Sequence, residues 1–234
     1  MTETRSCLVC GSIDFTVLFS AKDNLVSGKN YVLYRCSGCG FTYTADPPDE
    51  KDIAKFYLSE DYISHSDKIQ SLTDRAYHLA RNYMLRKKYN LVRKMSGRDT
   101  GTLVDIGSGT GYFAGYMNKN GWTSTGVELS EQARQYSISR FGLTAVSPSE
   151  VTSIKDGAAD CVTLWHVLEH LYDPAMWLKE INRILKADGK CIVALPNIKS
   201  ADGVWFGNEW GALDVPRHLW HFSAETFPQF INGH

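Results

Sequence analysis

Hydrophobic residues follow two different patterns along the chain. In the N-terminal part, the runs DFTVLFSA and NYVLYRC are short and rich in β-branched and aromatic residues, which predicts two strands joined by a turn at VSGKN. The prolines of ADPPDE interrupt regular structure, and a helix over 50–58 followed by a loop is expected after them. Over 71–96, apolar and aromatic residues recur at helical spacing, which predicts one long helix.

In the second half, apolar strands alternate with helices. The runs TLVDI, STGVEL, LTAV, CVTLWHV and GKCIVALPN predict strands, and helices are predicted over 111–120, 131–141 and 174–186. Ser130 is a suitable N-cap and Gly121 a suitable C-terminal cap. Because strands that alternate with helices form parallel sheets with helical crossovers, we predict an α/β fold with a doubly wound, mostly parallel sheet.

These patterns divide the chain into three predicted segments. Residues 1–45 form a small β module, residues 46–100 a linker and helical cap, and residues 101–234 the α/β domain.

Composition excludes several function classes. The chain has 234 residues with 25 Lys and Arg against 26 Asp and Glu, so its net charge of −1 gives no reason to expect a nucleic-acid or membrane partner. The basic residues of 71–96 could form a nucleic-acid surface, but we favour the solvated face of an amphipathic helix. No apolar run reaches the ~18–20 residues of a membrane span, and the N-terminus lacks a signal-peptide core. We therefore expect a cytoplasmic protein.

Four of the six cysteines form two matched pairs, in CLVCG and CSGCG. Two residues between cysteines let a tight turn aim both sulfurs at one metal ion, and two such turns predict a four-cysteine zinc ribbon. The alternatives are disulfides or redox thiols, which we disfavour. Because protein supplies every ligand, the zinc should be structural. The remaining cysteines, Cys161 and Cys191, lie in predicted strands and are expected in the core. The predicted ligands are Cys7, Cys10, Cys36 and Cys39.

The stretch LVDIGSGTGYF, residues 103–113, places three glycines within five positions directly after an apolar strand. Such a turn suits either a dinucleotide or S-adenosylmethionine (SAM). Asp105 at the strand tip would repel a pyrophosphate, whereas it suits the ammonium group of SAM. Glu128, which ends the next strand, can accept the hydroxyls of a ribose in either cofactor. The compressed glycine spacing and Asp105 therefore favour SAM.

Together, LVDIGSGTGYF, GVELS, CVTLWHVLEHLYDP and KADGKCIVALPN resemble the class I SAM-dependent methyltransferases over about residues 100–230. The resemblance implies an enzyme that binds SAM and releases S-adenosylhomocysteine. It also implies that the glycine turn and the ends of the first, second and fourth strands hold the cofactor. The implied cofactor residues are Asp105, Gly107, Ser108, Gly109, Gly111, Tyr112, Glu128, Leu129, Trp165 and His166.

Cysteine pairs ahead of such a domain resemble a subgroup that includes sugar C-methyltransferases and relatives found with surface-polysaccharide synthesis. The segment DVPRHLWHFS is similar to the acceptor-side segment of that subgroup, although Val215 and Arg217 stand where those enzymes carry Tyr and Glu. The resemblance implies a small-molecule or sugar-linked acceptor. Arg217 could bind a phosphate or carboxylate of the acceptor through its planar guanidinium; a solvated surface arginine is the alternative. The nearby aromatic residues, expected as a lid, an acceptor wall or core, are Trp205, Phe206, Trp210 and Trp220.

Histidine is the candidate base, because its pKa lies near neutrality. We predict that His218 is the base, with His221 or His170 assisting; a structural role is the alternative for each.

Two other functions stay open. One is an RNA methyltransferase, and the other is a non-catalytic binding protein that has kept the SAM fold. The family sheet adds two strands after the last predicted helix, and we expect this sequence to lack them. The fifth strand would then be an edge that a second copy could cover, so a homodimer is one expectation.

Overall fold

The computed structural model describes residues 6–56 and 72–234, which form two compact units. Each unit combines segments that are distant in the sequence, and the segment boundaries at residues 45 and 100 stay predictions. Within the described residues, the first unit comprises 6–56, 166–178 and 194–234, and the second comprises 72–165 and 179–193.

An antiparallel sheet lies in the first unit. The predicted strands are found as β1 (Phe15–Lys22) and β2 (Asn30–Cys36), and two very short strands, β3 and β9, were not predicted. The strand order is β1-β2-β3-β9. Strand β9 (Trp220–His221) pairs with β3 (Thr42–Thr44), and through it the DVPRHLWHFS segment joins the sheet of the cysteine module.

Two apolar groups stabilise this unit. Leu33 and Ala21 pack with Leu213 and Val215, and the Phe41 ring contacts those of Trp220 and Phe222. The helices with residues in this unit include α1 (Glu50–Ile53), α5 (Pro174–Ile184), α6 (Ala201–Phe206) and α7 (Thr226–Gly233). Of the predicted helix over 50–58, Glu50–Ile53 are α-helical and Ala54–Phe56 form a 3-10 turn. Residues 57–58 and the loop expected after them lie outside the described residues.

A five-stranded sheet forms the second unit. Its strand order is β6-β5-β4-β7-β8, and β4 pairs in parallel with both β5 and β7. The chain winds outward from β4 in one direction and then continues on the other side with β7, which confirms the predicted doubly wound, Rossmann-like sheet. The strands are β4 (Thr102–Ile106), β5 (Thr123–Val127), β6 (Thr144–Val146), β7 (Ala159–Trp165) and β8 (Leu185–Ala194).

The helices of this unit follow the predicted pattern. They include α2 (Leu72–Ser96), α3 (Tyr112–Lys119) and α4 (Glu131–Phe141). The Ser130 hydroxyl accepts a hydrogen bond from the Ala133 amide and caps α4. Gly121, which has a φ of +88°, directly follows Asn120, the C-cap residue of α3.

The basic helix α2 packs through one face only. Leu85 and Val92 are buried in the core of the second unit, whereas Arg86, Lys87 and Lys94 are exposed, as expected of a solvated helix face. Among the helices in the described part of the chain, none has the length and apolar character needed to cross a bilayer.

The two unpaired strand cysteines differ. Cys161 on β7 is buried in the core, as predicted, but Cys191 on β8 is exposed, so its prediction as a core residue was wrong. β8 is an edge strand, and apolar character alone does not show that an edge residue is buried.

Candidate functional site

The turn between β4 and α3 needs glycine at each of its three glycine positions. Gly107, Gly109 and Gly111 have φ values of +70°, +54° and +80°, a region that other residues rarely adopt. A Cβ on Gly111 would lie 2.6 Å from the Ser137 Cβ and 2.7 Å from the Leu143 Cδ1. By contrast, a Cβ on Gly109 would meet nothing within 4 Å. A side chain at Gly111 would therefore clash with the protein, whereas Gly109 borders open space.

Four amides of this turn already donate within the protein. The Gly107 and Ser108 amides donate to the Val127 carbonyl over 2.7 and 3.2 Å, and the Gly109 amide donates to Glu128 Oε2 over 2.8 Å. The Gly111 amide donates to the Ser108 carbonyl. A pyrophosphate site needs such amides to point at the ligand, so this hydrogen bonding disfavours a dinucleotide.

Asp105 is a buried carboxyl group on β4. Its side chain is 2% exposed and accepts a 2.6 Å hydrogen bond from Thr163 on β7. Burial raises the pKa of Asp105 to about 7, against the opposing effects of the Thr163 hydroxyl and the Lys88 charge. Because an adjacent cation favours the charged carboxylate, this position suits a ligand ammonium group.

Glu128 lies just beyond β5 and is 6% exposed. Its Oε2 accepts the Gly109 amide, and its Oε1 accepts the Ser130 amide over 2.9 Å. Each oxygen of a carboxylate has two acceptor positions. Glu128 can therefore hold the backbone turn and still accept the two hydroxyls of a ribose.

Two buried polar atoms near this turn lack a hydrogen-bond partner among the described residues. They are Ser108 Oγ and Trp165 Nε1. Buried polar atoms are normally paired, so both are suited to a polar ligand. Leu129 is 67% exposed, and the Tyr112 hydroxyl lies 3.2 Å from that of Tyr136. The site fits SAM in three respects: it has the buried acidic groups Asp105 and Glu128, open space at Gly109, and buried polar atoms of Ser108 and Trp165 that lack a partner among the described residues.

A cavity of about 500 Å³ lies in the first unit. Two histidines, an indole and several polar side chains line it, which suits a polar organic ligand. Most of its lining was not singled out from the sequence, because the residues come from separate loops that carry no motif. The lining residues are His166, Pro196, Asn197, Ser200, Asp202, Trp210, Gly211, Ala212, Asp214 and His218.

His218 is 7% exposed and lies on the cavity wall. Its Nδ1 lies 2.9 Å from the Ala212 carbonyl, which can only accept, so Nδ1 carries a proton and Nε2 a lone pair. Nε2 lies 3.9 Å from Glu169 Oε1 and 3.8 Å from Asp214 Oδ2. Burial, with the neighbouring His170 and His221, lowers the pKa of His218 to about 2, so its resting state is the neutral imidazole.

Glu169 is the buried carboxyl group beside the cavity histidines. It is 1% exposed, and among the described residues neither of its oxygens accepts a hydrogen bond. His166 Nδ1 lies 3.6 Å from Oε1. One ligand atom from each of Glu169, His170 and His218 lies within 4.8 Å of the others, so these groups could also hold a metal ion.

The other predicted histidines occupy different positions. His166, expected beside the cofactor, lines the cavity with its side chain 61% exposed and its φ at +59°. His221 on β9 has its Nε2 2.9 Å from the Thr44 hydroxyl, and burial lowers its pKa to about 3. His170 Nδ1 lies 3.0 Å from the Arg217 carbonyl, and burial lowers its pKa. Neither His170 nor His221 is among the described residues that line the cavity.

Arg217 and the four aromatic residues predicted on the acceptor side occupy different environments. The Arg217 guanidinium is buried and donates to Asp214 and to the Phe56 carbonyl, so its expected role as an acceptor ligand is not supported. Trp210 lines the cavity and donates to Asp202 over 3.0 Å. Trp220 is buried, whereas Trp205 and Phe206 are exposed.

The four paired cysteines converge. Sulfur atoms of Cys7 and Cys39 lie 3.6 Å apart, those of Cys10 and Cys36 lie 3.5 Å apart, and all four lie within 4.8 Å of one another. Four sulfurs at about 2.3 Å from a tetrahedral zinc ion would be about 3.8 Å apart. Burial raises the pKa of Cys7 and of Cys39. Burial also opposes ionisation of Cys36, but backbone amides of Cys39 and Gly38 outweigh it and lower the pKa of Cys36 to about 7. The donor set therefore fits zinc.

Comparisons with known proteins point to one family. A family model described as a methyltransferase domain matches residues 76–231. A probable S-adenosylmethionine-dependent methyltransferase of Mycobacterium tuberculosis is 27% identical over 119 residues, which are 50% of this chain and 43% of that protein. The ubiquinone/menaquinone biosynthesis C-methyltransferase UbiE of Geotalea uraniireducens is 26% identical over 113 residues, 44% of this chain and 48% of that protein. The chain thus spans about half the length of the curated relatives it matches.

A solved structure supports the fold. The YcgJ protein of Bacillus subtilis superposes with a TM-score of 0.52 at 19% identity, covering 63% of this chain and 67% of that one.

Proposed function

This chain belongs to the methyltransferase-domain family, and from that premise we propose that it transfers a methyl group from SAM to a small-molecule or sugar-linked acceptor. The observation that carries the proposal is the glycine turn: its Gly107, Ser108, Gly109 and Gly111 amides donate within the protein, Glu128 accepts one of them, and the buried Asp105 precedes the turn on β4. This arrangement offers acceptors to a cationic, hydroxyl-bearing ligand and few donors to a phosphate.

The cofactor residues divide by the part of SAM that they would bind. Asp105 would receive the ammonium group, and Glu128 the ribose hydroxyls. The exposed face of Leu129 would pack against the adenine, and the orphaned Ser108 Oγ and Trp165 Nε1 would contact the methionyl end. When bound, SAM supplies an electrophilic methyl group on a sulfonium centre. The protein then has to align the acceptor and remove its proton.

We assign proton removal to His218. Of the three histidines predicted as a base or its assistants, it is the one among the residues that line the cavity. The Ala212 carbonyl holds the proton on Nδ1, which leaves the Nε2 lone pair to accept a proton from an acceptor hydroxyl or carbon. His170 and His221 would assist by holding the surrounding backbone and β9.

Glu169 would stabilise the protonated form of His218. Its carboxylate lies 3.9 Å from Nε2 and accepts no hydrogen bond from the described residues. A negative charge at this distance favours the imidazolium ion and opposes the effect of burial on the pKa. Proton transfer to His218 would therefore produce an ion pair inside the protein.

The cavity lining favours a sugar-linked acceptor among small molecules. Asn197, Ser200, Asp202 and Asp214 offer donors and acceptors to several hydroxyls, and Trp210 offers an aromatic surface. UbiE, a C-methyltransferase by name, is among the relatives, so carbon is a candidate methylation site beside oxygen.

Zinc would have a structural role in this enzyme. The four sulfurs, which lie within 4.8 Å of one another, would complete a tetrahedral site and leave no position for substrate. The ion would stabilise the turns that flank β1 and β2, whose own apolar core is small.

Binding and transfer test the proposal in sequence. We expect calorimetry to detect binding of S-adenosylhomocysteine and none of NAD. Labelled methyl transfer from SAM would then be measured on nucleotide-linked sugars, a hydroxylated aromatic compound and RNA. Transfer to the sugars supports the proposal and transfer to RNA favours an RNA methyltransferase. Cofactor binding with no transfer to any acceptor favours the non-catalytic alternative, and binding of NAD alone contradicts the proposal.

A further inference from the structure

Lys88 on helix α2 is an inward-facing cation in the second unit. Its side chain is half-buried, and its Nζ lies 4.5 Å from the centre of the Trp165 ring and 5.7 Å from that of Phe113. An ammonium group over an aromatic face is attracted by the ring, with Trp the strongest partner. Lys88 is therefore held beside the end of β7 and the start of α3.

Lys88 is half-buried and, among the described residues, lacks the carboxylate partner that three other basic residues of this unit have. Arg98 pairs with Asp188, Arg183 with Asp156 and Lys186 with Asp160. For Lys88, the described residues provide neither a carboxylate within 4 Å nor a hydrogen-bond acceptor. Burial lowers the pKa of Lys88, and the charge of Asp105 opposes that effect.

The methionyl end of SAM carries both an ammonium and a carboxylate, and the two groups need different partners. Asp105 serves the ammonium. The carboxylate needs donors, but the amides of Gly107, Ser108 and Gly109 already donate within the protein. Asp105 accepts a hydrogen bond from Thr163, which lies two residues before Trp165 on β7, and the Lys88 ammonium lies over the Trp165 ring. One ligand zwitterion could therefore satisfy both charges.

We propose that Lys88 binds the α-carboxylate of SAM and so makes the site specific for cofactors that keep their amino-acid part. This inference rests on the proposed function, because it assumes a SAM site at the glycine turn. Lys88 would act in binding and would not touch the transferred methyl group.

Calorimetry with two probes tests the proposal on the full chain. S-adenosylhomocysteine carries the amino-acid part, and 5′-methylthioadenosine lacks it. A hydrogen bond between charged groups contributes ~1.5–3 kcal/mol, so Lys88→Met should weaken S-adenosylhomocysteine binding about 10- to 100-fold. It should leave methylthioadenosine binding unchanged, and Lys88→Arg should keep most of the affinity.

Lys87→Met is the matched control, because Lys87 is the adjacent residue, is exposed and lies over the Tyr83 ring. It should change neither affinity. If Lys88→Met weakens both probes equally, Lys88 only supports Trp165 and the proposal is overturned. Equal affinities in Lys88→Met and the wild type also overturn it. If the wild-type chain binds neither probe, both the proposed function and the Lys88 assignment are overturned. If the wild-type chain binds S-adenosylhomocysteine and Lys88→Met binds it equally well, only the Lys88 assignment is overturned.

Discussion

The glycine turn and the histidine cavity satisfy their polar groups in opposite ways. In the turn, the amides are used within the protein, and the carboxylates of Asp105 and Glu128 keep acceptor positions. In the cavity, the Ala212 carbonyl holds His218, and beside this histidine Glu169 has two oxygens that accept no hydrogen bond from the described residues. The first region is prepared for a cationic, hydroxyl-bearing ligand. The second places a neutral imidazole beside a buried carboxyl group, an arrangement that suits proton transfer.

The largest expected effect is the loss of folded structure in the first unit when the zinc ligands are removed. Cys36→Ser should reduce the zinc content from about one ion per chain to near zero and unfold the cysteine module, because ~40 residues have too small a core to fold without metal. Since β9 pairs with β3, we expect methyl transfer to be lost. Metal analysis, thermal unfolding and calorimetry with S-adenosylhomocysteine are the measurements.

Cys191→Ser is the control, because Cys191 is exposed on β8 and outside the zinc cluster. It should keep both zinc and activity. Full zinc content in Cys36→Ser would contradict the zinc assignment. A second metal ion in the wild type that disappears in Glu169→Gln would assign Glu169, His170 and His218 to metal binding and contradict His218 as the base.

The next largest effect should come from the cavity. His218→Ala should slow methyl transfer ~10²- to 10⁴-fold, the usual contribution of a general base, and leave the affinity for S-adenosylhomocysteine unchanged. Single-turnover rates with labelled SAM measure the first effect and calorimetry the second. His166→Asn is the comparison, because His166 lines the same cavity. A larger loss in His166→Asn than in His218→Ala would transfer the base assignment to His166.

The two regions also differ in how much of them the sequence could predict. The turn, its three glycines, Asp105 and Glu128 lie within 26 consecutive positions, so their spacing carried the information. The cavity combines 166, 196–202 and 210–218, and its formation depends on tertiary packing. Glu169 could not be predicted for the same reason, since a lone Glu in the short 3-10 helix Leu168–His170 has no distinctive sequence pattern. The short strand β3 forms by pairing with β2 and β9, and β9 forms by pairing with β3. No local sequence pattern predicts such pairing.

A smaller effect should distinguish Gly111 in the glycine turn from Gly142, the C-cap of α4. Gly111→Ala adds a methyl group 2.6 Å from the Ser137 Cβ at a φ of +80°, whereas Gly142→Ala at +64° meets nothing within 4 Å. Both variants should lose about 1–3 kcal/mol from backbone strain, and Gly111→Ala about 1–3 kcal/mol more from overpacking. Urea unfolding with unchanged slopes measures both. Equal losses would show that α3 and α4 adjust to the added methyl group.

The smallest effect concerns the protonation of Asp105. Its folded pKa is raised to about 7, above the usual value near 4. The folded state therefore keeps a proton that the unfolded state loses, and Asp105 lowers stability as the pH rises from about 4 to 7. A bound ammonium group favours the carboxylate, so S-adenosylhomocysteine affinity should fall by up to about tenfold per pH unit below pH 7. Asp105→Asn should bind more weakly at pH 8 and lose this dependence. A wild-type affinity that is constant between pH 6 and 8, or an Asp105→Asn profile that matches it, would contradict the ammonium assignment and leave Glu128 as the acidic group that selects the ligand.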